Sequence, residues 1–288
     1  MSLLQQPVIG YTLGDQAGIG PEVIASALSV LPHGIEYRCM GKKTDAVAGK
    51  PTERTAAVAL EHLENAAAAL KEGLIDAVVT APVCKEGLHR LGFVFPGQTE
   101  FFAERLGITN FAMCLTGKHL TVALTSTHVA LRDVPALLRS EELVRVGLLL
   151  SAFLRKTGKE NPRIALAGLN PHNGESGAFG DEESRIIEPA VRELQSRVPG
   201  VFCGPCVPDC VYRDAAAGVY DAIVAPYHDQ ALIPLKLLDF DNAVNATIGL
   251  PRLRVSPDHG TAFSIAGKGL ANPSSTIRAF ELALRSVQ

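Results

Sequence analysis

Short apolar runs alternate with longer amphipathic stretches along this chain, the pattern of an α/β protein. Pro7 to Leu13 predicts a first strand, and Asp76–Thr80, Leu120–Thr125, Arg163–Leu169 and Asp221–Ala225 predict further buried strands. Thr52 to Leu74 is rich in Ala, Leu and Glu and predicts one long helix. Helices are also expected over Gln98–Leu106, Glu141–Lys156, Asp181–Arg197 and Ser274–Val287, the last with Ser274 or Ser275 as its cap. A glycine-bearing loop, Gly14–Gly20, precedes Pro21, which suits the first helical position because its missing N–H costs nothing there. No repeat or low-complexity linker interrupts the pattern.

Three of the predicted strands deliver a histidine into a polar loop: Ser126-Thr127-His128, Asn170-Pro171-His172 and Pro226-Tyr227-His228-Asp229. Ligand sites in α/β proteins form beyond the carboxyl ends of strands. Neutral imidazole suits zinc and other divalent first-row ions, and three nitrogens with an open position make a catalytic metal site. His128, His172 and His228 are therefore the candidate metal ligands. Asp133, Glu175, Asp209 and Asp229 could orient them. His33, His62, His89 and His119 fall in helices or turns among polar neighbours and read as solvated.

Two glycine-rich segments could take anions. Gly14–Gly20 lies ahead of a helix N-terminus, where exposed amides favour negative charge, but its spacing is not the G-x-G-x-x-G fingerprint. The second set is Asp258–Ala262 with Gly267–Pro273. Lys236, Arg252 and Arg254 lie between that set and the His228 loop and could receive a phosphate or carboxylate.

Composition narrows the partners. With 27 Lys+Arg against 30 Asp+Glu the net charge is −3, which argues against nucleic acid. Trp is absent and aromatics are 6%, so a small polar ligand is favoured over one that needs stacking platforms. No apolar run reaches the roughly 20 residues of a membrane span. The opening residues lack the marks of a signal peptide, so a cytoplasmic protein without a membrane partner is expected. The length allows one large domain or two smaller ones. Six cysteines without a secretion signal read as reduced thiols. Cys203, Cys206 and Cys210 suggest zinc at first sight, but a closed site needs four ligands and no second pair exists.

The motifs also resemble a known family. Gly-Asp-Gln-Ala-Gly-Ile-Gly-Pro-Glu22, Ala-Pro-Val-Cys-Lys85, Pro-Gly-Gln-Thr-Glu-Phe-Phe102, Ser-Thr-His-Val-Ala-Leu-Arg-Asp133, Gly-Leu-Asn-Pro-His-Asn-Gly-Glu175, Tyr-His-Asp-Gln230, Gly-Leu-Pro-Arg-Leu-Arg254 and Asp-His-Gly-Thr-Ala262 resemble, in order, those of the 4-hydroxythreonine-4-phosphate dehydrogenase (PdxA) family of pyridoxal phosphate biosynthesis. The resemblance implies a divalent metal on His128, His172 and His228, zinc foremost and magnesium or cobalt as alternatives. It implies a homodimer whose third histidine comes from the partner subunit. Its substrate contacts map onto Thr99, Lys236, Asn245 and Arg254.

The last segment is similar to the wider isocitrate/isopropylmalate dehydrogenase group. That likeness implies NAD or NADP held by His259, Gly260, Thr261 and Asn272, with Gly14 and Asp15 on the same cofactor side. It implies two α/β lobes around a cleft, not a conventional Rossmann fold: residues 1–120 with 246–288 as the cofactor lobe, and 121–245 as the metal and dimer lobe. Two departures stand out. Gln98 occupies the position of a substrate-contacting histidine, and the stretch from Met40 to Thr52 is short for the family.

The implied reaction is oxidation of 4-phosphohydroxy-L-threonine with decarboxylation to 3-amino-2-oxopropyl phosphate. Asp209, Asp229 and Lys236 are the candidate catalytic groups. A paralogue acting on 4-phospho-D-threonate or 4-phospho-D-erythronate is the alternative. A metallohydrolase would use the same histidines to activate water, but has no need for the second glycine-rich segment.

Overall fold

The computed structural model describes residues 6–288. The chain forms two compact units: residues up to Thr109 together with Val244–Gln288, and Asn110–Ala243. The first unit opens with β1 (Val8–Tyr11), α1 (Gly20–Leu28), β2 (Glu36–Cys39), α2 (Glu53–Glu72), β3 (Ala77–Val79), α3 (Lys85–Arg90) and α4 (Gln98–Leu106). The second contains β4 (Ala112–Thr116), β5 (Thr121–Leu124), α5 (Val134–Leu137), α6 (Ser140–Lys156), β6 (Ile164–Ala167), α7 (Glu188–Arg197), β7 (Phe202–Cys206), α8 (Pro208–Ala216), β8 (Ala222–Ala225) and α9 (His228–Asp239). The chain then returns to the first unit with β9 (Val244–Ile248), β10 (Leu253–Pro257) and α10 (Ser274–Arg285).

Strands of the first unit run in the order β2-β1-β3-β10-β9, and those of the second in the order β4-β5-β8-β6-β7. Pairing is parallel except for β10 with β9 and β4 with β5. The inner parallel strands β3, β6 and β8 are short and fully buried, as expected of strands covered by helices on both faces: Ala77–Val79, Ile164–Ala167 and Ala222–Ala225 expose nothing.

Helix α2 shows how local sequence sets an element. Thr52 Oγ1 accepts from the Thr55 amide and Thr55 Oγ1 accepts from the Thr52 amide, both at 3.1 Å, a reciprocal cap on the helix start. At the other end Gly73 adopts φ 76°, the left-handed stop that glycine permits. Arg252 Nη1 donates to Leu70 O at 3.1 Å and closes the same helix end. The expectation that Arg252 belongs to an anion-binding cluster is therefore corrected: its guanidinium serves a helix C-terminus, where a cation also favours the dipole.

The α10 cap also differs from expectation. Ser274 is already helical, and its amide donates to Asn272 Oδ1 at 3.0 Å. Ser275 Oγ instead accepts from the Asp258 amide at 3.1 Å. The segment expected as one helix over Asp181–Arg197 begins with a π turn, Glu183–Ile187, before α7.

Candidate functional site

Strand register explains why two of the histidines meet. β5 and β8 are parallel neighbours with Leu124 opposite Ala225, so the residues that follow leave the sheet side by side. Two side-chain bonds clamp the loops together. Thr125 Oγ1 donates to Pro226 O at 3.0 Å, and Ser126 Oγ donates to the same carbonyl at 2.7 Å. The His128 and His228 rings then lie with centroids 5.6 Å apart. His228 is the first residue of α9, not a loop residue as its sequence setting suggested. Its Nδ1 bonds Asp229 Oδ1 at 2.7 Å. An ionised Asp229 fixes the Nδ1–H tautomer and leaves Nε2 as the available lone pair. A cavity of about 160 Å³ opens here, lined by both rings and by Thr127, Leu131 and Tyr227.

His172 is presented by a different device. Residues 172, 173, 175 and 176 are non-glycine yet sit at φ 52°, 54°, 42° and 57°. Left-handed backbone costs roughly 1–2 kcal/mol per such residue, so the surroundings must hold it. Glu183, 3% exposed, anchors the chain that enters it. Its Oε1 accepts from the Leu169 and Asn170 amides at 2.8 and 2.7 Å, and its Oε2 accepts from Asn170 Nδ2 at 3.0 Å. Asn173 Nδ2 donates to Pro205 O at 2.8 Å, and Gln230 Nε2 donates to Gly168 O at 2.8 Å. Sequence reasoning missed Glu183, because Asp181-Glu182-Glu183 looks like the solvated acidic start of a helix.

Among the described residues no three His, Cys, Asp or Glu side chains gather into a metal-holding group. The His128–His228 pair fits two positions of a divalent-ion site by donor chemistry and by the tautomer set at His228. A third donor has to come from outside that pair. Asp209 is exposed in the first turn of α8 and is not a partner in the bond that orients His228. Asp133 and Glu175 are also exposed.

The first unit holds a buried cation. Arg254 is 2% exposed. Its Nε and Nη2 donate to Thr80 Oγ1 at 3.0 and 2.8 Å, and Nη2 donates to Gln98 Oε1 at 2.9 Å. These partners are neutral. Burial pushes the guanidinium down to about 9, with Glu100 opposing from nearby, so it stays charged at neutral pH. A buried charge whose hydrogen-bond partners are all neutral is costly, which poises this one for an anion. Thr99 is buried and accepts from Thr247 Oγ1 at 3.2 Å. Asn245 faces Ser256 across the β9–β10 ladder, and its buried Oδ1 has no partner. In the second unit, Lys236 is half-buried on α9 with Nζ 5.9 Å from the centre of the Phe240 ring.

The two glycine-rich segments meet within this first unit. Ile19 N donates to Thr261 O at 2.9 Å, and a Cβ on Gly18 would come within 2.6 Å of that oxygen. Gly14 has φ 64° and approaches Pro82 O so closely that a Cβ would stand 2.1 Å from it. The loop does not offer the exposed amides expected of it. Asp15 N, Ala17 N and Gly18 N bond Pro82 O, Asp15 Oδ1 and Asp15 O, and residues 14–20 are buried. What remains is the buried Asp15 Oδ2 and the buried His259 Nε2, both without partners among the described residues. Gly260 is exposed, and Asn272 uses its Oδ1 on Ser274.

A comparison with known sequences decides the family. The pattern described as pyridoxal phosphate biosynthetic protein PdxA matches residues 20–283. The chain belongs to the PdxA family. Its enzymatic class is therefore oxidoreductase, and the hydrolase reading falls. A 4-hydroxythreonine-4-phosphate dehydrogenase of Desulfosudis oleivorans is 38% identical, covering 97% of this chain and 96% of the relative. A D-threonate 4-phosphate dehydrogenase of Pectobacterium atrosepticum is also 38% identical, covering 96% and 98%. Both alignments run over 323 positions against 288 residues here, so both relatives carry segments that this PdxA chain lacks.

The crystal structure of a 4-hydroxythreonine-4-phosphate dehydrogenase from Klebsiella pneumoniae superposes with TM-score 0.82 at 35% identity, covering 98% of this chain and all of that one. An isocitrate dehydrogenase of Methylococcus capsulatus shares the fold alone, with TM-score 0.57 at 15% identity over 98% of this chain and 86% of its own. The PdxA fold is thus of the expected isocitrate dehydrogenase-like class.

One expectation about the remaining histidines is corrected. His62 is 1% exposed, not solvated. A Cβ on Gly41 would stand within 2.0 Å of its ring, so the glycine makes room for it. His119 is half-exposed and bonds Asp239 through Nδ1 at 2.9 Å. No helix among the described residues is long and apolar enough to cross a membrane.

Proposed function

We propose that this chain oxidises a small 4-phosphorylated hydroxy acid, 4-phosphohydroxy-L-threonine foremost, with NAD or NADP as hydride acceptor and with decarboxylation to 3-amino-2-oxopropyl phosphate. The observation that carries the reading is Arg254, a buried cation bonded only to a hydroxyl and an amide. A substrate phosphate or carboxylate would complete it with charge-assisted bonds. Thr99, Asn245 and Gln98 lie on the same strands and helix and would orient the substrate's polar groups. Lys236 would add a second positive charge. Asp15 and His259, each with a buried unpartnered atom, are assigned to the nicotinamide cofactor together with Gly14, Gly260, Thr261 and Asn272.

A divalent ion, zinc foremost, would be held by His128, His172 and His228 and would act as a Lewis acid towards the substrate hydroxyl. Asp229 holds the His228 ring, which leaves Asp209 and Lys236 as candidates for the group that takes the substrate proton.

We assign the active form to a homodimer. α9 starts at His228, and its Ile233, Leu237 and Phe240 are 67%, 83% and 72% exposed. These positions fall on one helical stripe, an apolar face next to a candidate ligand that a second copy would cover.

A second reading is favoured by one observation. The Pectobacterium atrosepticum relative, named for D-threonate 4-phosphate, is as similar as the relative from Desulfosudis oleivorans. Gln98 is neutral and already accepts from Arg254, so it suits a substrate hydroxyl as well as an amine. Initial rates decide between them. Purified enzyme with zinc, magnesium or cobalt is given each phosphorylated acid with NAD and with NADP, and reduced nicotinamide is followed by absorbance. Faster turnover of phosphohydroxythreonine supports the first reading. Faster turnover of phospho-D-threonate or phospho-D-erythronate replaces it with the second. No reduction with any of them sinks both.

A further inference from the structure

Cys203 and Cys206 stand three apart on β7, so an ideal strand would send them to opposite faces of the sheet. The register does not allow that. Ala165 pairs with Cys203 and Ala167 pairs with Cys206, so two steps along β6 match three along β7. The extra residue is a β-bulge, and it returns both side chains to one face. Their partners are alanines, which leave room above the ladder. Both cysteines pack against the same core cluster as Tyr220.

Both thiols sit on one side of the bulge, against the same cluster. Cys203 Sγ lies 3.7 Å from Ile164 O, and Cys206 Sγ lies 3.9 Å from Tyr220 Oη. The neighbouring Cys206 thiol lowers the Cys203 thiol to about 7; burial works against this and Tyr220 assists it. The bulge matches the three-residue step from Cys203 to Cys206 to a two-residue span of β6, about 6.6 Å of strand rise, near the upper end of the roughly 4.4–6.8 Å that a disulfide spans between Cα atoms. Both residues are half-buried, and β7 is the last strand on its side of the sheet order, so a small reagent can reach them. Cys114 is the contrast: it is fully buried, and burial pushes its thiol far up.

The same turn touches the His172 loop. Pro205, between the two cysteines, accepts from Asn173 Nδ2 at 2.8 Å, and Cys206 O accepts from Gly168 N at 2.9 Å. We propose that Cys203 and Cys206 are a reversible dithiol–disulfide site whose state is sensed by the strained loop carrying His172. The oxidant is a low-molecular-weight disulfide. The Cys203 thiolate attacks one of its sulfurs, breaking that bond, forming a mixed disulfide and releasing one thiol. Cys206 then attacks the Cys203 sulfur and releases the second thiol. The protein loses two electrons and two protons to the reagent, whose one disulfide becomes two thiols.

Closing the ring shortens the sulfur–sulfur approach to a covalent bond and must move the intervening Pro205 carbonyl. Asn173 either follows it or loses its bond. A run of four left-handed non-glycine residues has little reserve against that loss.

The test treats the reduced, folded protein with oxidised glutathione, blocks remaining thiols and maps peptides by mass spectrometry. The expected result is a Cys203–Cys206 linkage with loss of two thiols per chain, reversed by dithiothreitol. Cys206→Ser should stop at a glutathione adduct on Cys203. Hydrogen exchange is then compared between the two wild-type forms. Amides of residues 168–177 should change by about threefold or more, and those of α2, which belongs to the other unit, should not. Three outcomes overturn the proposal: no linkage, a linkage through Cys210 instead, or a stable wild-type glutathione adduct that never closes. A clean disulfide with unchanged exchange at 168–177 overturns the sensing half of it.

Discussion

Arg254 and Arg252 look alike in the sequence, two residues apart in Gly249-Leu-Pro-Arg-Leu-Arg254. The structure separates them, because Arg252 precedes β10 and reaches the end of α2, whereas Arg254 is inside the strand and buried. Burial was not legible in the pattern, since nothing local says which arginine loses its water. The consequence is testable by Arg254→Met, which keeps bulk and removes charge. Replacing an under-compensated buried charge with an apolar group of similar size is often neutral for stability. Loss of charged bonds to an anionic substrate costs about 3–4 kcal/mol, or roughly 10²–10³ in kcat/KM. Steady-state kinetics should show that loss while thermal denaturation shows a midpoint within a few degrees of wild type. A collapse of the folded state with little kinetic change in the survivors would mean that Arg254 is structural.

Elements carry the next layer, and here the sequence was legible in part. The strands delivering His128, His172 and His228 were visible from their apolar runs. The left-handed turn at 172–176 was not, because backbone preference argues against it and only Gly174 and Gly177 hinted at it. Glu183 anchors the Leu169 and Asn170 amides that lead into this turn. Glu183→Ala leaves the Leu169 and Asn170 amides without their acceptor, an effect of about 1–3 kcal/mol per buried group. Exchange at those two amides should rise, and kcat/KM should fall about tenfold or more, as for other groups that orient a ligand. Glu183→Gln keeps one oxygen and should recover most of both. Equal damage from Gln and Ala would argue that charge, not acceptor geometry, matters.

A second element-scale expectation concerns Asp239 at the end of α9. Its fully buried carboxylate accepts from the amides of Lys118, His119 and Leu120 at 3.0, 2.8 and 3.1 Å and from His119 Nδ1. Burial pushes this carboxyl up, but the His119, Leu120 and Lys118 bonds outweigh it and hold it below the usual range. A folded value below the unfolded one means stability that is present above about pH 4 and lost as pH falls through the folded value. Asp239→Asn should lower stability at neutral pH and flatten the acid limb of the stability–pH curve. An unchanged acid limb would show that other carboxylates set it.

At the scale of the whole molecule, the chain builds one unit from its two ends and the other from its middle, and neither alone contains every candidate residue. The discontinuity was legible only through family resemblance, since no linker marks it. The sequence offered three histidines beyond strand ends, but not that His228 opens α9, nor which of the three one chain brings together. The structure sets His128 beside His228, while the resemblance assigns the crossing role to the third histidine. Mixing inactive variants separates these cases. If His228 crosses, a heterodimer of His128→Ala with His228→Ala has one site free of both substitutions and regains up to half of wild-type activity per dimer. The same heterodimer stays inactive if His128 and His228 serve one site from one chain. In that case His128→Ala mixed with His172→Ala recovers instead, because the crossing residue is then His172. Recovery in neither verified heterodimer places all three ligands on one chain and removes the shared site. Activity against mixing ratio, with heterodimers isolated by two affinity tags, reads out each case directly.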